Sequence, residues 1–413
     1  MTKDPYAALK YPEFRYFVTA QFMFTVAILI QEIVISYYLY EITNDPLSLG
    51  LVGLFEAIPF ISLALFGGYV ADKYEKRKVY LASFLVVLLV TLGLLTFLGD
   101  ESILQLDHKH QPWVIYLAVL VFGIARGFYN PSWSALKPFL VKKEHYSNSA
   151  SWSSQFWQTG RILGPVAGGF LYAYLGLVNS LWVVVGLLVL TIIFASLIGK
   201  KPVEQMTQTN ILESLKEGFT FVKSNKIMLY SILLDMLSVL FGGVIAILPV
   251  YAKDVLHVGV EGLGFMRAAP GIGAVLTMLA TAYFPPTVKA WQNMLIGVAG
   301  FGVATLVFAV SQNYLISLIA LFFTGAFDSI GVVVRSTILQ LLPPDNMRGR
   351  VSSVNGIFVS TSNELGAFES GLAAKIMGPV NSVIFGGVMT LVVVTYIFSR
   401  SRELLKVNLL KEV

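Results

Sequence analysis

No cysteine occurs among the 413 residues, which removes disulfide frameworks, thiolate metal sites and cysteine nucleophiles. Charge is scarce too. Asp, Glu, Lys and Arg make up 13% of the chain, about half the roughly 25% of an ordinary soluble protein. With 56% hydrophobic residues, too little polar surface remains to cover a water-soluble globule. Disorder, nucleic-acid-binding tails and low-complexity architecture are excluded with it. There is no G-x-x-x-x-G-K-[ST], so ATP does not drive this chain directly, and no H-E-x-x-H or G-x-S-x-G to mark a hydrolase. No enzyme activity and no cofactor are expected. Met1 to Glu13 holds two lysines but no apolar run with a small-residue cleavage site, so a removed signal peptide is not expected.

What is present is apolar sequence in long runs. A bilayer core about 30 Å thick takes roughly 20 helical residues to cross. Twelve such stretches are legible, at about 14–40, 47–71, 79–98, 113–136, 148–176, 178–198, 228–251, 259–284, 290–310, 314–338, 351–377 and 379–399. Asn44-Asp45-Pro46, Gln111-Pro112, Pro285-Pro286 and Pro343-Pro344-Asp345 punctuate the joints. Runs such as Leu81 to Leu95 are apolar on every face, which fits helices and not the alternating strands of a membrane barrel. The fold class is therefore an all-α membrane protein of twelve transmembrane helices.

Most of the 29 lysines and arginines fall on one side if both termini are cytoplasmic, with Lys109, Lys253 and Lys375 on the other. That asymmetry places both termini in the cytoplasm, and the basic balance reports topology, not nucleic acid; the plasma (bacterial inner) membrane is the expected location of this multi-pass protein. The hydrophilic stretch 199–227 divides the spans into bundles at 1–198 and 228–413. Within it, Ile211 to Phe219 is amphipathic and is expected along the membrane surface, or as a plain linker.

Ten ionisable side chains fall inside the spans: Glu32, Glu56, Arg126, Arg161, Asp235, Arg267, Asp328, Arg335, Glu364 and Glu369. A charge at the bilayer centre costs at least about 2.5–3.5 kcal/mol, so each must face protein or water. Spans 3, 6, 9 and 12 carry none, which predicts that every third helix faces lipid and the others line an interior. A repeat-built transporter with its site between two six-helix halves explains that period. Gly123-Ile124-Ala125-Arg126 and Gly325-Ala326-Phe327-Asp328 give it a faint residue-level echo.

Protons and a small molecule are the expected partners, in a monomer surrounded by bilayer. Glu32, Glu56, Asp235, Asp328 and Glu364 are the proton-coupling candidates, because a carboxyl withdrawn from water at such depth is suited to proton exchange near neutral pH. Each has a structural alternative: a fixed pair of Glu32 with Arg126, helix contact for Glu56, and a pair with Arg335 for Asp235. Arginine stays charged and needs a carboxylate or an anionic substrate. Arg126, Arg161 and Arg267 are thus cavity candidates, Arg267 alternatively clamping Glu364. Tyr37, Trp133 and Trp157 are suited to stacking on a planar ligand, or to ordinary packing. Asn130 and Asn363 complete the cavity set. The histidines lie in loops or at span ends, and no metal site is expected.

Gly68-Tyr69-Val70-Ala71-Asp72-Lys73-Tyr74-Glu75-Lys76-Arg77-Lys78, between spans 2 and 3, resembles the signature loop of the major facilitator superfamily. Gly68, Asp72, Lys73, Arg77 and Lys78 are its matching gating residues. Glu75 stands where the family usually has glycine. Gly164, Pro165, Gly168 and Gly169, after Gly160-Arg161, are similar to the glycine-proline motif of the family's exporters and are expected to pack against a helix of the other half. Asp328 to Thr337, Met347 to Ser352 and Ser362 to Gly371 resemble the narrower branch of enterobactin-exporter-like transporters. The resemblance implies the major facilitator fold of two pseudo-symmetric six-helix bundles, alternating access, and proton-driven efflux of siderophores or amphipathic drugs. Import of a polar or anionic solute or metal, and a lysolipid flippase, remain the other readings.

Overall fold

The computed structural model describes residues 4–98, 104, 106–201 and 211–406, without the side chains of 64, 65, 67–69, 71, 72, 211, 212, 345 and 346. Its long helices are α1 Pro12–Thr43, α2 Pro46–Lys73, α3 Lys76–Phe97, α4 Gln111–Leu136, α5 Tyr146–Ser196, α6 Ile211–Ser224, α7 Lys226–Gly242, α9 Gly259–Tyr283, α10 Ala290–Val310, α11 Tyr314–Leu341, α12 Asp345–Met377 and α13 Pro379–Arg400, with a one-turn α8 at Leu248–Val250. No strand occurs among the described residues.

The predicted joints are where the backbone turns. Asn44 ends α1 in the left-handed region at φ 46°, and Asp45 Oδ1 accepts the Leu47 amide at 3.0 Å. A proline then opens α2 at a position whose amide needs no helical partner. Asn225 and Asn313 cap α7 and α11 through their side-chain oxygens. Gly378, at φ 85°, separates α12 from α13.

Ten helical segments among the described residues are long and apolar enough to cross a membrane. One of them, α5, is two spans: the backbone leaves helical geometry at Gly176, φ 74°, at the predicted joint. α12 is long enough but too polar to count, because Asn355, Ser360, Ser362, Asn363 and Glu364 interrupt it. The seventh span departs from the continuous helix expected. α7 stops at Gly242, and Gly243 takes an extended conformation. Its carbonyl oxygen accepts the Ser370 hydroxyl at 2.7 Å. Short turns and a wide-helix segment at Tyr251–Val255 then complete the crossing.

The chain divides into two compact units. The first comprises Met1–Asn44, Phe55–Thr207 and Val260–Phe265; the second comprises Asp45–Leu54, Gln208–Gly259 and Met266–Val413. In the first, α1 lies along α5. Cβ atoms added at Gly160, Gly164 and Gly168 would press on Thr25, Leu29 and Ile30 with Ile33, so glycine at every fourth residue lets the two backbones approach. The glycine-proline motif, expected to pack against a helix of the other half, divides its contacts between two helices. Gly160, Gly164 and Gly168 serve α1, and Pro165 and Gly169, one position further round, meet Val260–Gly264 at the start of α9. Phe17 of α1 stacks on Trp133 of α4, which Tyr80 and Phe84 of α3 meet edge-on and tilted.

In the second unit, Met228, Trp291, Met294, Val334, Ile338 and Val351 form a fully buried core. The amphipathic segment expected on the membrane surface is α6, and it turns Val222, Leu215 and Phe221 into this core. Arg350 of α12 pairs with Glu217 on its polar face. Asp45 binds Lys375 at 2.6 Å, and Gly50 meets Gly371 backbone to backbone, so the first turns of α2 are seated on α12.

Candidate functional site

Each unit holds an ion pair among its membrane helices. In the first, α2 and α4 approach so closely at Gly123 that a Cβ there would meet the Glu56 carbonyl oxygen and the Pro59 ring. That approach brings Glu56 to Arg126, which it holds in an ion pair, with the guanidinium 4.6 Å from the centre of the Phe60 ring. Glu32, for which a pair with Arg126 is the structural alternative to proton exchange, is exposed on α1.

In the second unit the pair is Asp235 with Arg335. It is more deeply buried, at 9% and 8% side-chain exposure against 18% and 26% for Glu56 and Arg126. Asp328 stands two turns from Arg335 along α11. Asp235 and Asp328 line one small cavity with Ser238, Val239, Val298, Phe301 and Gly331. The structure thus brings together two of the five proton-coupling candidates. Glu364 lies on α12, beside the level at which Gly53 meets that helix.

The cavity candidates separate by exposure. Trp133 is buried in the aromatic cluster, and Tyr37 is buried edge-on against Tyr172 at 5.5 Å. Asn130, Trp157, Arg161 and Asn363 are exposed. The Arg161 guanidinium sits 4.8 Å from the Trp157 ring centre, one turn away. Polar groups exposed on helices of this kind face water and not hydrocarbon. Arg267 places Nη1 3.4 Å from the Ile245 carbonyl oxygen.

The signature loop has a visible structural task. Arg77 donates to the Ser196 carbonyl at 2.5 Å, and the Tyr80 hydroxyl donates to the Ala195 carbonyl at 2.7 Å. Together they cap the last turn of α5, where a cation is favoured. Lys78 lies 3.7 Å from Glu75, and Lys73 is exposed near the Tyr74 ring. The burial of Gly68 and the side chain of Asp72 lie outside what the structure describes.

Sequence reasoning missed Ser238 and Gly331. The available signal was spacing: Asp328, Gly331 and Arg335 lie at i, i+3 and i+7, and Asp235 and Ser238 at i and i+3, each set on one helix face.

The Major Facilitator Superfamily matches the chain over residues 17–367. Its curated relatives include enterobactin exporter EntS of Citrobacter koseri, 25% identical over 383 residues, with 91% of this chain and 89% of the relative covered. EntS of Escherichia coli O1:K1 is 24% identical over 389 residues, covering 93% and 90%. Among solved structures, a point mutant of nucleoside transporter NupG gives a TM-score of 0.78 at 12% identity, covering 94% of this chain and 100% of that one. A POT family transporter in complex with 5-aminolevulinic acid gives 0.75 at 10%, covering 95% and 96%. At these identities the structural likenesses establish the fold alone.

Proposed function

The chain belongs to the major facilitator superfamily of membrane transporters, and we propose that it is a proton-coupled exporter of siderophore-like or other amphipathic small molecules. The observation that carries this reading is the Asp235–Arg335 pair, less than one-tenth exposed inside a membrane-spanning unit. A carboxylate and a guanidinium buried there at several kcal/mol each are a standing cost, which a proton-accepting role explains. The export direction and the substrate class are supported by the relatives named enterobactin exporter, aligned along about nine-tenths of both chains.

In this reading both termini are cytoplasmic, and segments 1–198 and 228–413 rock as two bodies about the linker 199–227. A carboxyl takes a proton on the outer side as substrate leaves. It returns the proton on the inner side as new substrate binds. Glu32 and Glu364 join Asp235 and Asp328 as proton carriers, and Arg161, Trp157, Asn130 and Asn363 contact the substrate. The exposure of Glu32, Asn130, Trp157, Arg161 and Asn363 supports that assignment.

The test is transport by purified protein in liposomes under an imposed pH gradient, offered enterobactin-like catecholates, amphipathic drugs, metals and lysolipids. Uphill movement of a catecholate or drug against inward proton flow is expected, and Glu32→Gln or the paired Asp235→Asn/Arg335→Gln variant should abolish it while leaving exchange. Absence of any substrate moving against its gradient refutes antiport. Movement of an anionic solute down its gradient identifies an importer or facilitator, and lysolipid movement identifies a flippase.

A further inference from the structure

The last long helix of the second unit, α13, carries a groove lined by its own residues alone. Val388, Val392 and Tyr396 form one ridge, and Leu391, Thr395 and Ser399 form the next, each built from residues four apart. Val388, Val392 and Tyr396 are exposed. The space between the ridges is about 460 Å³, within the range of about 300–1,000 Å³ that holds small ligands elsewhere. From Val388 to Ser399 the groove runs about 16 Å at 1.5 Å per residue, close to one leaflet of a hydrocarbon core about 30 Å thick. The Thr395 hydroxyl donates to the Leu391 carbonyl at 2.8 Å, and the Ser399 hydroxyl donates to the Tyr396 carbonyl at 2.7 Å. An alkyl chain can therefore lie here without leaving either hydroxyl hydrogen unmet.

Cations stand at the C-terminal end of the groove. Arg400 is the next member of the first ridge, four residues after Tyr396. Its guanidinium lies 5.9 Å from the centre of the Tyr396 ring, and that of Arg402 lies 5.6 Å from the centre of the Phe398 ring. Both arginines are exposed, and neither forms an ion pair among the described residues. The neighbouring carboxylate, Glu403, is held by Lys226 at 2.7 Å.

We infer that α13 binds an anionic phospholipid, with an acyl chain in the groove and the phosphate at Arg400 and Arg402. A guanidinium fork matches phosphate oxygens in pairs, and stacking on the aromatic rings fixes each fork at the mouth of the groove. A second copy of this chain is the rival occupant, because helices pack ridge into groove. A two-fold axis along the membrane normal would set its arginines against these, cation on cation. Val388, Leu391, Val392 and Tyr396 are also bulkier than the small residues that let membrane helices approach. The site uses none of the side chains assigned to proton coupling or substrate, so it does not depend on the transport reading.

A chain without cysteine makes the groove measurable. Val392→Cys, labelled with a bimane fluorophore and reconstituted in liposomes, places one reporter in the groove wall. Phospholipids carrying a nitroxide on the acyl chain quench that reporter on contact. Nitroxide phosphatidylglycerol should outcompete nitroxide phosphatidylcholine by about five-fold for each arginine engaged, or ~1 kcal/mol apiece. Adding Arg400→Gln/Arg402→Gln should remove the preference, and adding Arg400→Lys/Arg402→Lys should keep most of it. Ile296→Cys is the reference. Ile296 is exposed on α10, a helix without an ionisable side chain, and the Trp291 indole at the start of α10 donates to Ser401 at the end of α13 at 2.9 Å. Both reporters thus lie toward the same membrane surface, and Ile296→Cys should show no preference. The site is overturned if the two reporters give equal ratios, or if the preference survives Arg400→Gln/Arg402→Gln. Protection of the Val392→Cys reporter from both lipids, with a cross-linked dimer, assigns the groove to a second copy and overturns it as well.

Discussion

Removing the negative partner of the most deeply buried ion pair should destabilise the protein severely, and removing both partners should not. Asp235→Asn keeps the shape of the side chain and deletes its charge. It leaves the Arg335 guanidinium, 8% exposed, without the carboxylate it pairs with. Two unit charges about 4 Å apart attract by about 4 kcal/mol at an effective dielectric constant near 20, and loss of one member of a buried pair typically costs about 3–5 kcal/mol. We expect a loss in that range for Asp235→Asn. The double variant Asp235→Leu/Arg335→Met replaces the pair with apolar groups of similar bulk, and such replacements run from neutral to about 1–4 kcal/mol stabilising. The measurement is reversible unfolding of the purified variants in mixed micelles by titration with a denaturing detergent, followed by helical circular dichroism. The double-variant cycle should return an interaction energy of several kcal/mol. If the single variant is as stable as wild type, or the double variant is no more stable than the single, the two groups are not a desolvated pair and the reasoning fails.

Two further outcomes follow from the packing. Gly325→Ala would place a Cβ on the Pro270 backbone carbonyl, so it should cost at least about 1–3 kcal/mol by overpacking, whereas Gly186→Ala, which meets open space, should be neutral or mildly stabilising; equal melting curves for the two would refute the contact between α9 and α11. Tyr80→Phe removes the donor to the Ala195 carbonyl and should cost about 0.5–1.5 kcal/mol, with faster amide hydrogen exchange in the last turn of α5; unchanged exchange there would refute the capping role.

Much of the fold was legible in the sequence because the constraint is chemical and local. A bilayer demands about 20 apolar residues per crossing, and the prolines, glycines and asparagines that end those runs act through the backbone of their own neighbours. That is why the joints at Asn44, Gly176 and Gly378 fall where they were expected. The break in the seventh span was harder to read. Gly242-Gly243 permits it, but the Ser370 hydroxyl that donates to the freed Gly243 carbonyl is 127 residues away.

Sequence alone therefore determined that this is a helical membrane protein of the major facilitator type, and which ionisable groups are costly enough to need a purpose. Only the tertiary structure decided their partners. A charge at mid-membrane announces itself in one dimension, because burial follows from the apolar residues on either side of it. Pairing depends on which helices approach and at what level, and that is set by glycine contacts between distant segments. Gly123 brings Glu56 to Arg126. The same physics gathers Asp235, Ser238, Asp328 and Gly331, from two helices far apart in the chain, around one small cavity.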